Sequence, residues 1–149
     1  MTKPLNPPLP CMCASLRRAA RALSQIYEEA LRLTGLRATQ FTILQALFIA
    51  GEVAQGELGQ ILAMDSTTLT RTLTIMGRHG WIAKRRGEDR REWRMRLSKA
   101  GEAQFKHALP HWENAQRQVR RQLGDELSDN IMKLTQETTN ALIDKGELL

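Results

Sequence analysis

The segment Asp65-Ser66-Thr67-Thr68-Leu69-Thr70-Arg71-Thr72-Leu73-Thr74-Ile75-Met76-Gly77-Arg78-His79-Gly80 begins with two residues suited to capping a helix and ends on one that stops it. With Thr67 set at zero and about 100° added per residue, Thr70, Arg71, Thr74 and Arg78 fall within about 60° of it. Leu69, Leu73 and Met76 cluster on the opposite side. One face is built to pack and the other to hydrogen-bond. Five of these residues are threonine, whose branched Cβ costs rotamer freedom inside a helix, so something other than helix stability selects them.

Downstream, Ile82 to Arg86 reads as a short basic strand. A second strand, Glu92 to Leu97, alternates, with Trp93, Met95 and Leu97 on one side and charges on the other. Gly87-Glu88-Asp89-Arg90-Arg91 between them forms a charged hairpin tip. Upstream, Leu16, Ala19, Ala20, Leu23, Ile26, Tyr27, Ala30 and Leu31 recur at helical steps, predicting a first helix of about twenty residues that ends near Gly35. Thr39 is the expected N-cap of a second helix, with Phe41, Leu44, Leu47 and Phe48 as its apolar stripe. Glu57 to Leu62 is a third, with Leu58, Ile61 and Leu62 expected inward. Ser98 caps a further helix to about Leu123, in which Pro110 is expected to cause a kink or break. A last helix carries Leu127, Ile131, Leu134, Thr138, Ala141 and Leu142.

The charge balance points the same way as this element order. The 149 residues are 42% hydrophobic and carry a net charge of +6, and residues 65 to 99 hold ten basic and four acidic side chains. The remaining 114 residues carry twelve of each sign. An excess confined to one segment argues for a local polyanion footprint, with double-stranded DNA as the expected partner. No stretch approaches the roughly 18 apolar residues of a membrane span, and the proline-rich start has no apolar run of signal-peptide type, so a cytoplasmic protein without a membrane partner is expected. Cys11 and Cys13 are too close together to staple a fold. Nucleophile-elbow, phosphate-loop and His-Glu-x-x-His patterns do not occur; no enzyme and no cofactor is expected. His107 and His111 stand four apart with Pro110 between them, expected to spoil the pairing, and no metal site is expected.

Helix, helix, threonine-rich helix and two-stranded hairpin, in that order, make a winged helix-turn-helix: mainly α with a small β hairpin. Its third helix enters the major groove and its hairpin tip reaches the flanking minor groove. Candidate DNA-binding residues are Ser66, Thr67, Thr68, Thr70, Arg71, Arg78, Arg86, Asp89, Arg90 and Arg91. Arg71 can fork onto a guanine edge, while Arg78, Lys84, Arg85 and Arg86 are suited to phosphates. The expected organisation is a flexible leader over 1–12, dimerisation helices over 13–36 and 99–149, and a DNA-binding lobe over 37–98.

Asp65-Ser66-Thr67-Thr68-Leu69-Thr70-Arg71, then Gly80-Trp81-Ile82, then Asp89-Arg90-Arg91 with Leu97-Ser98-Lys99-Ala100-Gly101, resemble the recognition helix, first strand, wing and post-wing helix of the MarR family of bacterial transcriptional regulators. The resemblance runs from about Cys13 onward. It implies a homodimer with intertwined terminal helices on a pseudo-palindromic operator, and repression relieved by a small ligand or oxidant. It also implies that Asp89 pairs with and orients a nearby arginine and that Arg91 inserts into the minor groove. Pro110 departs from the family pattern.

Cys13 stands fourteen residues before Tyr27, a spacing similar to that between the reactive cysteine and its tyrosine partner in the organic-hydroperoxide-sensing branch of the family. Arg17 and Ala38 replace that branch's other tyrosines. Cys13, with Arg17 one helical turn on, and Cys11 are candidate redox sensors. Leu23, Ile26, Tyr27, Phe41 and Phe48 are the candidate ligand cavity, although the same side chains suit a closed core. The alternative to a DNA-binding regulator is a winged-helix module that binds protein instead.

Overall fold

A computed structural model describes residues 6–143. Helix α1 spans Met12–Leu31 and continues as one short 3₁₀ turn, Arg32–Thr34; α2 spans Ala38–Ala50 and β1 Val53–Ala54. Then come α3 Gln55–Leu62, α4 Ser66–Arg78, β2 Ile82–Arg86, β3 Trp93–Leu97, α5 Lys99–Leu123 and α6 Asp125–Ile143. The strands form one antiparallel sheet in the order β1-β3-β2. This is the winged helix-turn-helix expected from the element order. Residues 1–5 of the leader and 144–149 of the last segment lie outside the described residues.

The capping residues set these boundaries. Asp65 accepts the backbone N–H of Thr68 at 2.9 Å, and Ser98 accepts that of Gly101 at 3.0 Å. Each satisfies an N–H that the first helical turn leaves orphaned, worth about 1 kcal/mol. Ser98 also donates its hydroxyl to the Gly80 carbonyl, and its N–H reaches Trp81 O at 3.0 Å. The start of α5 is thereby sewn to the end of α4. At Gly101 the contact is so close that a Cβ would stand 2.0 Å from the Trp81 carbonyl oxygen. Only glycine fits there.

The core lies where α2, α3, α4, the sheet and the first half of α5 converge: Phe41, Ile43, Leu44, Leu47, Leu58, Leu69, Leu73, Met76, Met95, Leu97 and Phe105 are all buried. Leu69, Leu73 and Met76 are the face of α4 expected to pack. The two ends of the chain differ. Helix α1 buries only Leu31 and α6 only Ser128, while Leu16, Leu127, Met132, Leu134 and Leu142 are exposed.

Several expectations are corrected. The N-cap of α2 is Arg37, not Thr39: the Arg37 N–H donates to Gln40 Oε1 at 2.9 Å, and Thr39 lies one residue inside the helix. Ile61 is exposed, because the eight-residue α3 turns only Leu58 and Gly59 fully inward. Phe48 is half exposed and rests on Phe105, with ring centroids 4.7 Å apart. Strand β1 was not expected; two residues show no alternation to detect. Helix α5 runs unbroken through Pro110, and the His107 and His111 rings lie 6.0 Å apart on it. The described end of the leader is tied to α1, with Arg18 donating to the Pro7 carbonyl at 2.9 Å and Ser15 to that of Leu9 at 3.1 Å.

Candidate nucleic-acid interface

Helix α4 presents its polar side to solvent, and its hydroxyls divide into two groups. Thr68 donates to Asp65 Oδ2 at 2.6 Å, while Thr72 and Thr74 donate to the carbonyls of Thr68 and Thr70, one turn back. Those three complete the helix itself. Thr70 Oγ1 instead lies 2.9 Å from Gln55 Nε2, across the turn from α3, and Ser66 and Thr67 are exposed without a protein partner among the described residues. Donation from Thr68 also holds the Asp65 carboxyl below the usual carboxylate range. Thr68 is therefore better described as part of the cap than as a reader of an external group. Arg71 and Arg78 project from the same exposed face with no protein acceptor among the described residues.

The wing is tied down on both faces. On one, Glu52, immediately before β1, receives Arg85 Nε at 3.1 Å and Arg94 Nε at 3.0 Å, and Arg94 also pairs with Glu92 at 3.0 Å. The donated hydrogen bonds of Arg85, then Arg94, hold the Glu52 carboxyl low. Arg85, expected to hold phosphate, is thus paired with a protein carboxylate, although its side chain stays largely exposed. On the other face Arg86 lies over the Trp93 ring, 3.9 Å from its centroid, with Lys84 Nζ at 4.8 Å. At the tip, Asp89 Oδ1 accepts the Arg91 backbone N–H at 2.9 Å. The aspartate orients an arginine through its main chain, not through the guanidinium pairing implied by the resemblance. The side chains of Arg90 and Arg91 are exposed and without a protein partner among the described residues.

Glu52, Gln55 and Trp93 hold these side chains in place and were not among the expected site residues. Their partners lie 15 to 42 residues away in sequence or across a hairpin, and such pairings leave no local period. For Trp93 alone a signal existed: an aromatic directly opposite a basic strand.

Of the expected cavity residues, Leu23, Tyr27 and Phe41 line one cleft of about 310 Å³ with Leu31 and Trp112. Ile26 and Phe48 do not line it. Tyr27 donates its hydroxyl to Gln116 of α5, and burial pushes its pKa up. Cys13 lies on the same helix fourteen residues away, about 20 Å at 1.5 Å per residue, so the two do not meet within one chain. Helix α1 starts at Met12 with Cys11 as its N-cap, Sγ 3.5 Å from the Ala14 N–H, and Cys13 lies in its first turn. Both thiols are free and exposed. Among the described residues no group of three or more His, Cys, Asp or Glu is arranged to hold a metal ion, and no helix is long and apolar enough to cross a membrane.

The model of the MarR family matches residues 36–93, from the start of α2 into β3. The uncharacterised HTH-type transcriptional regulator YwoH of Bacillus subtilis is 31% identical over 90 residues, which is 60% of this chain and just under two thirds, 66%, of that one. The structure of the M. tuberculosis transcriptional regulator MosR in complex with DNA superposes with a TM-score of 0.77 at 35% identity, covering 89% of this chain and 98% of that one. That of a mutant E. coli MarR complexed with operator DNA superposes equally well, 0.77, over 85% and 92%, at 19% identity, a likeness of fold alone. With nearly the whole length of one solved regulator matched at 35% identity and the family model aligned on the winged lobe itself, this chain belongs to the MarR family, whose members are transcriptional regulators and not enzymes.

Proposed function

We propose that the chain is a homodimeric, cytoplasmic DNA-binding repressor that places α4 in the major groove and the wing tip at the flanking minor groove of each operator half-site. The observation that carries this reading is that Arg71 and Arg78 on the exposed side of α4 and Arg90 and Arg91 at the exposed wing tip have no protein acceptor among the described residues, and neither do the hydroxyls of Ser66 and Thr67. Arg71 suits a guanine edge, Arg78 a phosphate and Arg91 the minor groove. The DNA complex of the 35% identical MosR supports the same partner. The dimerisation segments are α1 and α5 to α6, whose bare apolar side chains need a cover.

Release is assigned either to an apolar ligand in the cleft by Leu23, Tyr27 and Phe41 or to oxidation at Cys13. In the second case a hydroperoxide ROOH converts the thiol to a sulfenic acid and leaves as the alcohol ROH. Cys11 of a second subunit then displaces water to form a disulfide.

Duplexes selected by the protein from a random pool provide the test. Two chains per duplex and a log-log salt slope of about −5 to −9 are expected, from several phosphates neutralised in each lobe. A flat salt dependence, or one chain per duplex at saturation, overturns the reading. Organic hydroperoxide separates the two release routes: if Cys13→Ser lets go of DNA as readily as wild type, the thiol is not the sensor.

A further inference from the structure

We propose that Arg86 is a positioning residue of the wing, holding the tip in the shape that presents Arg90 and Arg91, and does not itself contact DNA. The proposal rests on the DNA-binding reading above and refines it at one residue. In the β2–β3 ladder Ile82 stands opposite Leu97, Lys84 opposite Met95 and Arg86 opposite Trp93. Directly opposed residues share a face, so these six side chains form one surface. At the root of the hairpin that surface joins the core through Leu97 and Met95. Toward the tip the core ends, and the Trp93 ring is covered by the two cations instead.

Arg86 does one thing more. Its guanidinium, 3.9 Å from the ring centroid, also donates from Nη1 to the Arg90 carbonyl at 2.7 Å. That carbonyl belongs to the peptide joining Arg90 to Arg91. A planar peptide held at its oxygen, with the next N–H held by Asp89 at 2.9 Å, fixes the directions in which both arginine side chains leave the backbone. The flat guanidinium serves both contacts at once, stacking through its face and donating in its plane; an ammonium is a point charge and cannot.

Amide hydrogen exchange over residues 87–92 of the free protein, together with affinity for a duplex selected from a random pool, tests this. Arg86→Ala, Arg86→Lys and Trp93→Leu are each expected to speed exchange at the tip, by about two- to fivefold where only the exposed cation–π contact is lost and by about thirtyfold or more where the hydrogen bond from the charged donor is lost with it. All three are expected to weaken DNA binding, and the double variant Arg86→Ala/Trp93→Leu to be no worse than Trp93→Leu alone, since both remove the same brace. A phosphate contact predicts the opposite pattern: Arg86→Lys binds like wild type, and Arg86→Ala leaves tip exchange untouched. Either result overturns the proposal. If wild type binds no DNA at all, the DNA-binding reading fails, while tip exchange still decides whether Arg86 braces the wing.

Discussion

At the scale of single residues, two exposed arginines, one on α4 and one at the wing tip, are expected to fail in different ways. Arg71 leaves the exposed face of α4, so Arg71→Ala should cost about 1–3 kcal/mol in binding and relax preference at one position per half-site. Arg91 leaves the wing tip, so Arg91→Ala should reduce discrimination against GC-rich flanks, where the minor groove is wider. Binding measured on a panel of single-substituted duplexes separates them; equal losses on selected and random DNA contradict both roles. Glu52 makes a prediction in pH. Its carboxyl is held below its ordinary value of 4.5 by Arg85 and Arg94, so its contribution is complete above that pH and disappears as pH falls through the lower folded value. Wild type should therefore melt above Glu52→Gln at neutral pH, and the two midpoints should converge below about pH 4.5. These residues also differ in how visible they were. Arg71 and Arg91 were readable because they stand out from their own element, whereas Glu52 acts only through side chains brought to it from 33 and 42 residues away.

At the scale of elements, α4 is the best specified by its own sequence. A cap, a two-faced pattern and a terminal glycine agree, and the structure places its ends at Ser66 and Arg78 with Gly80 at φ +76°. Local signals suffice when each supports the same boundary. Asp65→Ala should accordingly cost about 1 kcal/mol, seen as a lower thermal midpoint. It should also weaken DNA binding, because the first turn of α4 carries Ser66 and Thr67. A midpoint unchanged within error removes the capping argument. Where signals conflict, local reading fails. A hydroxyl at Thr39 suggested a cap, yet Gln40 reaching back to the Arg37 N–H starts α2 two residues earlier. Pro110 removes one helix donor, but α5 continues because its buried face, Phe105, Ala108 and Ala115, is held on both sides of the proline.

At the scale of the whole molecule, the exposed apolar side chains of α1 and α6 are the unfinished part. Leu16, Leu127, Met132, Leu134 and Leu142 lie on helices that touch little beyond α5. Sedimentation at micromolar concentration should give a dimer, and paired charges such as Leu134→Glu with Leu142→Glu should shift it toward monomer while the winged lobe stays folded; a monomeric wild type sinks the assignment. The sequence by itself determined the order of the helices and of the two hairpin strands, the faces of α4 and β3, and the placing of the basic excess, because helical and strand periods and local charge are properties of neighbours in the chain. Only the tertiary structure decided which cations are left without an acceptor. Arg85, Arg86 and Arg94 are as basic as Arg90 and Arg91, but Arg85 and Arg94 are paired with Glu52 and Arg86 lies over Trp93. The Glu52 ion pairs depend on distances of about 3 Å between groups 33 and 42 residues apart, and the Arg86–Trp93 contact on strands brought face to face; the first exist only once the hairpin has folded against β1 and the second only once the hairpin itself has closed.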